Sequence, residues 1–248
     1  MNKSRTIDAH GLPFVKLNRE IKRAIAEGVT HISLLNVNGQ RYIGDGLRGK
    51  LRITINGIPG NDLAAFMNGP EIVVYGNAQD CIANTMKKGR IIIHGNVGDL
   101  LGYAMRGGEV FVKGDVGYRA GIHMKACDKQ IPVIVVGGTA ADFFGEYMAG
   151  GIIILLGLNR QHNEPIAGDY TGTGMHGGII YLRAEVPKEH LGKEVQIMKI
   201  EQQDKAILKK YIKKFAQEFG FDPDKILEAE FTKLLPMGKR PYGQKYAY

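Results

Sequence analysis

A glycine recurs at a fixed spacing through the middle of the chain and divides it into similar segments. The spacing is nineteen residues for the first three intervals, twenty-four where KACDKQ is inserted, and nineteen again before Gly157. The glycines that open the five complete segments are Gly57, Gly76, Gly95, Gly114 and Gly138. Such repeats indicate a solenoid, because each segment is too short to bury its own apolar side chains and must stack on its neighbours.

A methionine follows each opening glycine by ten residues, and a sixth methionine resumes the pattern after a second insertion, QHNEPIAGD. The methionines are Met67, Met86, Met105, Met124, Met148 and Met175. The position seven residues after each opening glycine is always Ala or Gly, which is typical of a tight backbone corner. At a strand spacing of about 4.8 Å, equivalent residues lie above one another, so we expect glycine and methionine ladders.

Each segment ends in a strand such as RIIIHG or EVFVKG, in which alternate residues point inward. Flanking residues such as Glu71, Arg90, Glu109 and Lys113 are expected to face water. The sequence therefore predicts an all-β core, a single-stranded parallel β-helix of six to seven turns. Within one structural unit we expect an N-terminal helix and capping turn over residues 1–56, β-helix repeats over 57–186, and C-terminal helices with an extended arm over 187–248.

The outward strand positions change character along the repeat. We interpret them as polar in the first three complete turns and apolar in the next two. The apolar set is Val133, Val135, Ile152, Ile154 and Leu156. A sheet that is apolar on both faces must be covered, and two coverings are open, the C-terminal tail of this chain or a partner protein docked there.

Helices are predicted on both sides of the repeat. Asn18 to Glu27 reads as a short helix with Asn18 as its N-cap and Gly28 just past its end. A second helix is expected from about Gln202 to Phe219, with an apolar stripe that suits the apolar sheet face. A third is expected after Gly220, with Asp222 as N-cap and Pro223 in the first position. The ending LLPMGKRPYGQKYAY has neither helical nor strand periodicity and is predicted to be an extended arm.

The net charge of +8 fits an acidic protein partner, a nucleic acid or an anionic membrane. Five lysines cluster on the second predicted helix, Lys205, Lys209, Lys210, Lys213 and Lys214. Aromatic residues are not interleaved with them as stacking platforms, which argues against a nucleic-acid partner. The start of the chain has no apolar signal region and no stretch of eighteen apolar residues occurs, so we expect no membrane partner and a cytoplasmic location.

The residues that could carry catalysis or bind metal are few. Cys81 and Cys127 are too few for an iron–sulfur cluster or a four-thiolate zinc site and are expected to be small buried residues. His94, His123 and His176 have no metal-ligating neighbour three or four residues away. We therefore predict no catalytic, cofactor-binding or metal-binding residue, with a ligand contact at His123 or His176 as the exception left open.

Three aspartates, Asp80, Asp99 and Asp142, occupy one position of the repeat. A calcium ion needs six to eight oxygen ligands, and each turn offers one carboxylate. We interpret these side chains as turn residues that accept hydrogen bonds from the backbone of their own turns.

Two whole repeats resemble the glycine-motif right-handed β-helix at the C-terminal end of the glutamate synthase large subunit, GNAQDCIANTMKKGRIIIHG and GNVGDLLGYAMRGGEVFVKG. The resemblance therefore implies that the predicted β-helix is right-handed. A subunit of formylmethanofuran dehydrogenase contains a similar β-helix. The segment PVIVVGGTAADFFGEYMAGGIIILLGLN and the ending FTKLLPMGKRPYGQKYAY look more like glutamate synthase. The resemblance extends from about residue 6 to residue 248.

The resemblance implies a non-catalytic structural and docking subunit of a glutamate synthase complex, which makes glutamate from glutamine and 2-oxoglutarate. It implies no cofactor in this chain, since FMN and the iron–sulfur cluster belong to a partner subunit. The implied partners are the glutaminase and the FMN-dependent synthase subunits, and self-association is left open. Two alternatives remain, a structural subunit of a formylmethanofuran dehydrogenase-type complex and an acyltransferase-like β-helix enzyme, against which the lack of a six-residue rhythm counts.

Overall fold

A computed structural model describes residues 3–127, 129–161 and 164–238 of the chain. One eleven-stranded sheet runs through it, in the order β1-β2-β3-β4-β5-β6-β7-β8-β9-β11-β10. The strands are β1 Ser4–Asp8, β2 His31–Asn38, β3 Arg52–Ile58, β4 Asn68–Tyr75, β5 Lys88–Ile93, β6 Glu109–Val112, β7 Val133–Val136, β8 Ala149–Leu155, β9 Gly177–Leu182, β10 Val195–Met198 and β11 Thr232–Pro236. The helices are α1 Phe14–Ala26, α2 Gln202–Phe219 and α3 Pro223–Leu227, and a 3₁₀ turn spans Lys188–His190.

The strands from β1 to β9 pair in parallel, and their register reproduces the sequence repeat. One inward column joins seven residues in direct succession, Ile53, Ile72, Ile91, Val110, Ile134, Ile153 and Ile180. Every member is fully buried. A second parallel ladder of single bridges, from Ala78 to Ala167, closes another side of each turn. The predicted parallel β-helix is therefore confirmed, with an all-β core of about six turns.

The methionine ladder lies inside this core, and all six methionines are at most 1% exposed. Four of their methyl groups, those of Met67, Met86, Met124 and Met148, pack where a glycine of the next turn has no side chain. A Cβ atom at Gly108 would lie 2.5 Å from Cε of Met86, and one at Gly178 would lie 2.5 Å from Cε of Met148. The methionine of one turn thus recurs together with a glycine of the next turn, because the methyl group of the methionine occupies the space that a side chain at the glycine would need.

The aspartates of the repeat bond between turns rather than within them, which corrects the interpretation made from the sequence. Asp80 Oδ1 accepts a hydrogen bond from the backbone nitrogen of Asp99 at 2.9 Å, and Asp99 Oδ1 accepts one from Tyr118 at 2.9 Å. A Cβ atom at Gly98 would lie 2.1 Å from Asp80 Oδ1. The carboxylate of one turn therefore requires a glycine in the next, and Asp142 repeats the arrangement with Asp169.

The corner of each turn alternates between left-handed and other backbone conformations. Asp62, Ala64 and Phe66 all have φ near +60°. The backbone nitrogen of Asp62 donates to the carbonyl of Asp80 in the following turn, and that of Ala64 donates to Ile43 in the preceding turn. The tight corner predicted at this position is thus confirmed at Ala64. Because the backbone conformation alternates, successive N–H groups form hydrogen bonds with the preceding and the following turn in alternation.

Helix α1 begins four residues before its predicted start, so the assignment of Asn18 as N-cap was wrong. Pro13 is the N-cap, and Asn18 lies inside the helix with its amide nitrogen donating to the carbonyl oxygen of Arg41 at 2.8 Å. Leu17 and Ile21 are buried against the first turns. The helix therefore closes the N-terminal end of the core.

The C-terminal end is closed by an antiparallel strand that the sequence did not reveal. β11 lies between β9 and β10, with Leu234 opposite both Ile180 and Ile197. Leu234 is fully buried. The prediction of an extended arm over residues 234–248 was therefore wrong for residues 234–236, which belong to β11. Residues 239–248 lie outside the described part of the chain.

Candidate docking surfaces

The outer face of the sheet is covered by the chain's own helix α2. Its bounds match the predicted Gln202–Phe219, and Glu201 with Asp204 forms a capping box at its start. The apolar set predicted as a covered or docking face is at most 8% exposed, Val133, Val135, Ile152, Ile154 and Leu156. It forms one cluster with Leu208, Ile212 and Phe215 of α2. Of the two coverings that the sequence left open, the structure has the intramolecular one.

The apolar outer stripe begins earlier than the sequence interpretation placed it. Val73, Ile92 and Phe111 are the central outward residues of the first three complete turns, and each is at most 3% exposed within the same cluster. The interpretation of these outward positions as polar was wrong, because only the residues that flank them are polar. Helix α2 therefore covers a stripe that extends along five turns.

The flanking charged residues hold α2 in place. Arg90 Nη1 lies 2.9 Å from Glu218 Oε1, and Lys214 bonds Glu109. Glu71, Arg90 and Glu109 are half-buried, so the expectation that they face water was wrong for these three, whereas Lys113 is exposed as predicted. The guanidinium of Arg90 also lies over the ring of Phe111 at 4.9 Å. Ion pairs at the margin of the apolar stripe fix the position of α2 on the sheet.

A buried polar cluster joins the start of α2 to β9 and β11. Asp204 accepts hydrogen bonds from the hydroxyl of Tyr181 at 2.6 Å and from Nζ of Lys233 at 2.8 Å. Asp204 is 1% exposed and Lys233 is 5% exposed. Burial alone raises the pKa of Asp204, but the hydrogen bonds from Lys233 and Tyr181 outweigh it and hold the pKa below its ordinary value. Burial, and then the bond to Asp204, raise the pKa of Tyr181.

The outward side of α2 carries a row of lysines, which we call the lysine face, Lys205, Lys209, Lys210 and Lys213. All four are exposed. None of them lies within salt-bridge distance of a carboxylate in the described ranges 3–127, 129–161 and 164–238. The fifth lysine of the predicted cluster, Lys214, is engaged with Glu109 and belongs to the contact with the sheet.

The three histidines that the sequence analysis considered lie in two environments. His94 stacks on Tyr75 at 4.6 Å and meets the edge of Phe219 at 5.2 Å, and burial, with the nearby charge of Lys113, lowers its pKa. His123 stacks on Tyr147, and the side chains of His123 and His176 line one cleft. Sequence reasoning singled out both histidines but did not predict that they lie together.

Neither cysteine is fully buried, so that expectation was wrong. Cys81 is partly buried, and its pKa is raised by burial and by three neighbouring aspartates, Asp62, Asp80 and Asp99. Cys127 is exposed in the KACDKQ insertion. Across the described part of the chain, no three His, Cys, Asp or Glu side chains come together in an arrangement that could hold a metal ion. None of the helices in that part is long and apolar enough to cross a membrane.

The fold agrees with the family that comparison with known proteins finds. An uncharacterized protein of Methanocaldococcus jannaschii is 50% identical over 248 residues, covering 97% of this chain and 95% of the relative. The GXGXG motif family, the family of the C-terminal domain of the glutamate synthase large subunit, matches residues 16–237. That match spans all the repeats, α2 and β11, and the chain therefore belongs to the GXGXG motif family.

Proposed function

We propose that this protein is a non-catalytic structural and docking subunit of a glutamate synthase complex, bound to separate glutaminase and FMN-dependent synthase subunits. The observation that carries the proposal is the family match from residue 16 to residue 237, which takes in nearly the whole chain. The matching family is that of a domain which glutamate synthase has within its large subunit. The FMN and iron–sulfur cluster of such a complex belong to the synthase partner.

The lysine face supports docking on an acidic partner surface. Lys205, Lys209 and Lys213 are spaced four residues apart on α2, so their charges lie in one row on the same side of the helix. Like charges at this spacing destabilise a helix by about 0.2–0.5 kcal/mol per pair. An acidic surface placed against the row removes this repulsion and speeds association more than it raises affinity.

The test is co-expression with glutaminase and FMN-dependent synthase subunits, followed by purification through a tag on this chain. We expect both partners to co-purify in fixed ratio. Failure of folded partners to associate contradicts the proposal. The same purification after co-expression with formylmethanofuran dehydrogenase subunits tests the alternative. Association with those subunits, and not with the glutamate synthase subunits, favours a formylmethanofuran dehydrogenase-type complex.

The lysine face is tested with the triple variant Lys205→Gln, Lys209→Gln and Lys213→Gln. We expect association to slow about tenfold at low salt and the difference to shrink at high salt, because steering by charge is screened. The free energy of unfolding should rise slightly, since two like-charge pairs are removed. Stopped-flow association and denaturant unfolding measure the two effects.

A matched control replaces three exposed lysines elsewhere, Lys16, Lys22 and Lys50, with Gln. It loses the same three charges but leaves α2 intact. Equal association rates for the two triple variants would show that net charge, not the lysine face, steers the encounter.

A further inference from the structure

A cleft of about 490 Å³ lies along the corners of the later turns. Its lining comes from four successive turns of the solenoid and from no helix, Tyr103, Ala104, Arg106, His123, Lys125, Tyr147, Ala149 and His176. The volume falls in the range of small-molecule sites, about 300–1,000 Å³. Small side chains at Ala104 and Ala149 leave the cleft open where neighbouring turns carry larger ones.

One wall of the cleft is an aromatic stack. The rings of His123 and Tyr147 lie 5.4 Å apart and nearly parallel, at 10°, and Tyr103 meets the edge of His123 at 6.0 Å. Tyr147 is held over Gly174, where a Cβ atom would lie 2.4 Å from the tyrosine ring. The rings are thus positioned by the repeat itself, yet Tyr147 remains 45% exposed and can contact a ligand.

The other wall is basic. Arg106 and Lys125 occupy the same position in consecutive turns, directly after the ladder methionines, so they lie about 4.8 Å apart along the rod. Arg106 is anchored, because its Nη1 donates to the carbonyl oxygen of His123 at 3.0 Å. Neither cation lies within salt-bridge distance of a carboxylate in the part of the chain that the structure describes, and the described lining contains no acidic residue.

His176 adds a polar atom with a defined role. Its Nδ1 lies 3.2 Å from the carbonyl oxygen of Gly174. A carbonyl only accepts hydrogen bonds, so Nδ1 carries a hydrogen, and in the neutral imidazole Nε2 is left to accept from a ligand hydroxyl or amine. The cleft therefore offers two charged donors, a stacking surface and one acceptor.

We propose that this cleft binds a small anion of the nucleoside monophosphate class, with its phosphate at Arg106 and Lys125 and its planar ring against the His123–Tyr147 stack. Guanidinium and ammonium groups without carboxylate partners favour a phosphate. An aromatic face favours a planar base without selecting a sequence or a particular ring. The site is independent of the docking function, because none of its lining residues lies on α2.

The test is isothermal titration of the full chain with adenosine monophosphate, adenosine and inorganic phosphate at low salt. We expect saturable binding of the monophosphate and weaker binding of each part alone. Lys125→Gln and Arg106→Gln should each weaken monophosphate binding about tenfold, as expected for one lost charge-assisted hydrogen bond. Tyr147→Ala should weaken the monophosphate about fivefold or more but leave inorganic phosphate unchanged.

Lys16→Gln is the control, because Lys16 is exposed on α1, which is far from the cleft residues in sequence. The substitution removes one positive charge, as Lys125→Gln does. Thermal melting checks that each variant is folded, and Lys125, an exposed side chain, supplies the variant least prone to misfold. The proposal is overturned if the monophosphate does not bind saturably. It is also overturned if Lys125→Gln and Lys16→Gln bind it equally, or if inorganic phosphate alone binds as tightly.

Discussion

The sheet face and the corner of this solenoid are built from the same repeat, but the outward residues of the sheet face are buried and those of the corner are exposed. On the sheet face, outward residues such as Phe111 and Val135 are apolar and lie buried under α2. At the corner, outward residues such as Tyr147 and His123 are aromatic and exposed. A face that the chain covers itself serves stability, whereas a face left open with aromatic and basic groups is available for binding.

The core beneath both surfaces should be the least tolerant part of the molecule. Met105→Asp places a charge in a fully buried ladder position, and an unpaired buried charge costs several kcal/mol. We expect the variant not to fold, as measured by circular dichroism and solubility. Met105→Leu keeps the volume and should lose less than about 1.5 kcal/mol. An unchanged melting temperature for Met105→Asp would contradict the inward assignment of the methionines.

The cover of the sheet face should be the next most sensitive element. Lys233→Met leaves Asp204 buried without its cation, which costs about 3–5 kcal/mol in comparable pairs. Replacing both residues, as Asp204→Asn with Lys233→Met, should recover much of that loss. Denaturant unfolding of the two single variants and the double variant measures the coupling. A double variant no more stable than Lys233→Met would contradict this account of the pair.

The same pair should make the cover sensitive to acid. The pKa of Asp204 is lowered in the folded chain, so its contribution to stability is fully present above the unfolded-state pKa, about 3.9. It is lost as the pH falls through the lower folded-state pKa. We expect unfolding free energy to fall more steeply below pH 4 in the wild type than in the double variant. Parallel curves would show that Asp204 is not stabilised as an anion.

A smaller loss is expected between the turns. Gly98→Ala brings a methyl group within 2.1 Å of Asp80 Oδ1, and such overpacking costs about 1–3 kcal/mol. Asp80→Ala alone should lose about 1 kcal/mol, the value of one hydrogen bond. In the double variant the two losses should not add, because the clash disappears with the carboxylate. Strict additivity would contradict the contact.

The sequence predicted those features that repetition or helical periodicity determines. The spacing of glycine and methionine predicted the parallel pairing of equivalent residues in successive turns. The uninterrupted apolar stripe predicted where α2 begins and ends. α1 was misplaced because Asn18 is a good N-cap residue by type, whereas its side chain instead bonds Arg41, which is distant in sequence.

The features that the sequence did not predict depend on distant partners. β11 was missed because it contains Lys233, a residue that is rarely buried and is buried here only through Asp204. The cleft was missed because its walls come from residues of successive turns that are seventeen or more residues apart. The sequence did contain one signal for the cleft. His123 and Tyr147 occupy the same outward position of the repeat in two consecutive turns, so an aromatic stack could have been predicted there.

Hydrogen–deuterium exchange of α2, in the isolated chain and in the purified complex, tests whether the chain covers its own sheet face and leaves other surfaces for its partners. The amides of Gln202–Phe219 should exchange slowly in the isolated chain, since the helix is packed on the sheet and held by Asp204. Their slow exchange should persist when partners bind, with added protection confined to exposed surfaces. Rapid exchange of α2 in the isolated chain, slowing only when a partner is added, would contradict this account.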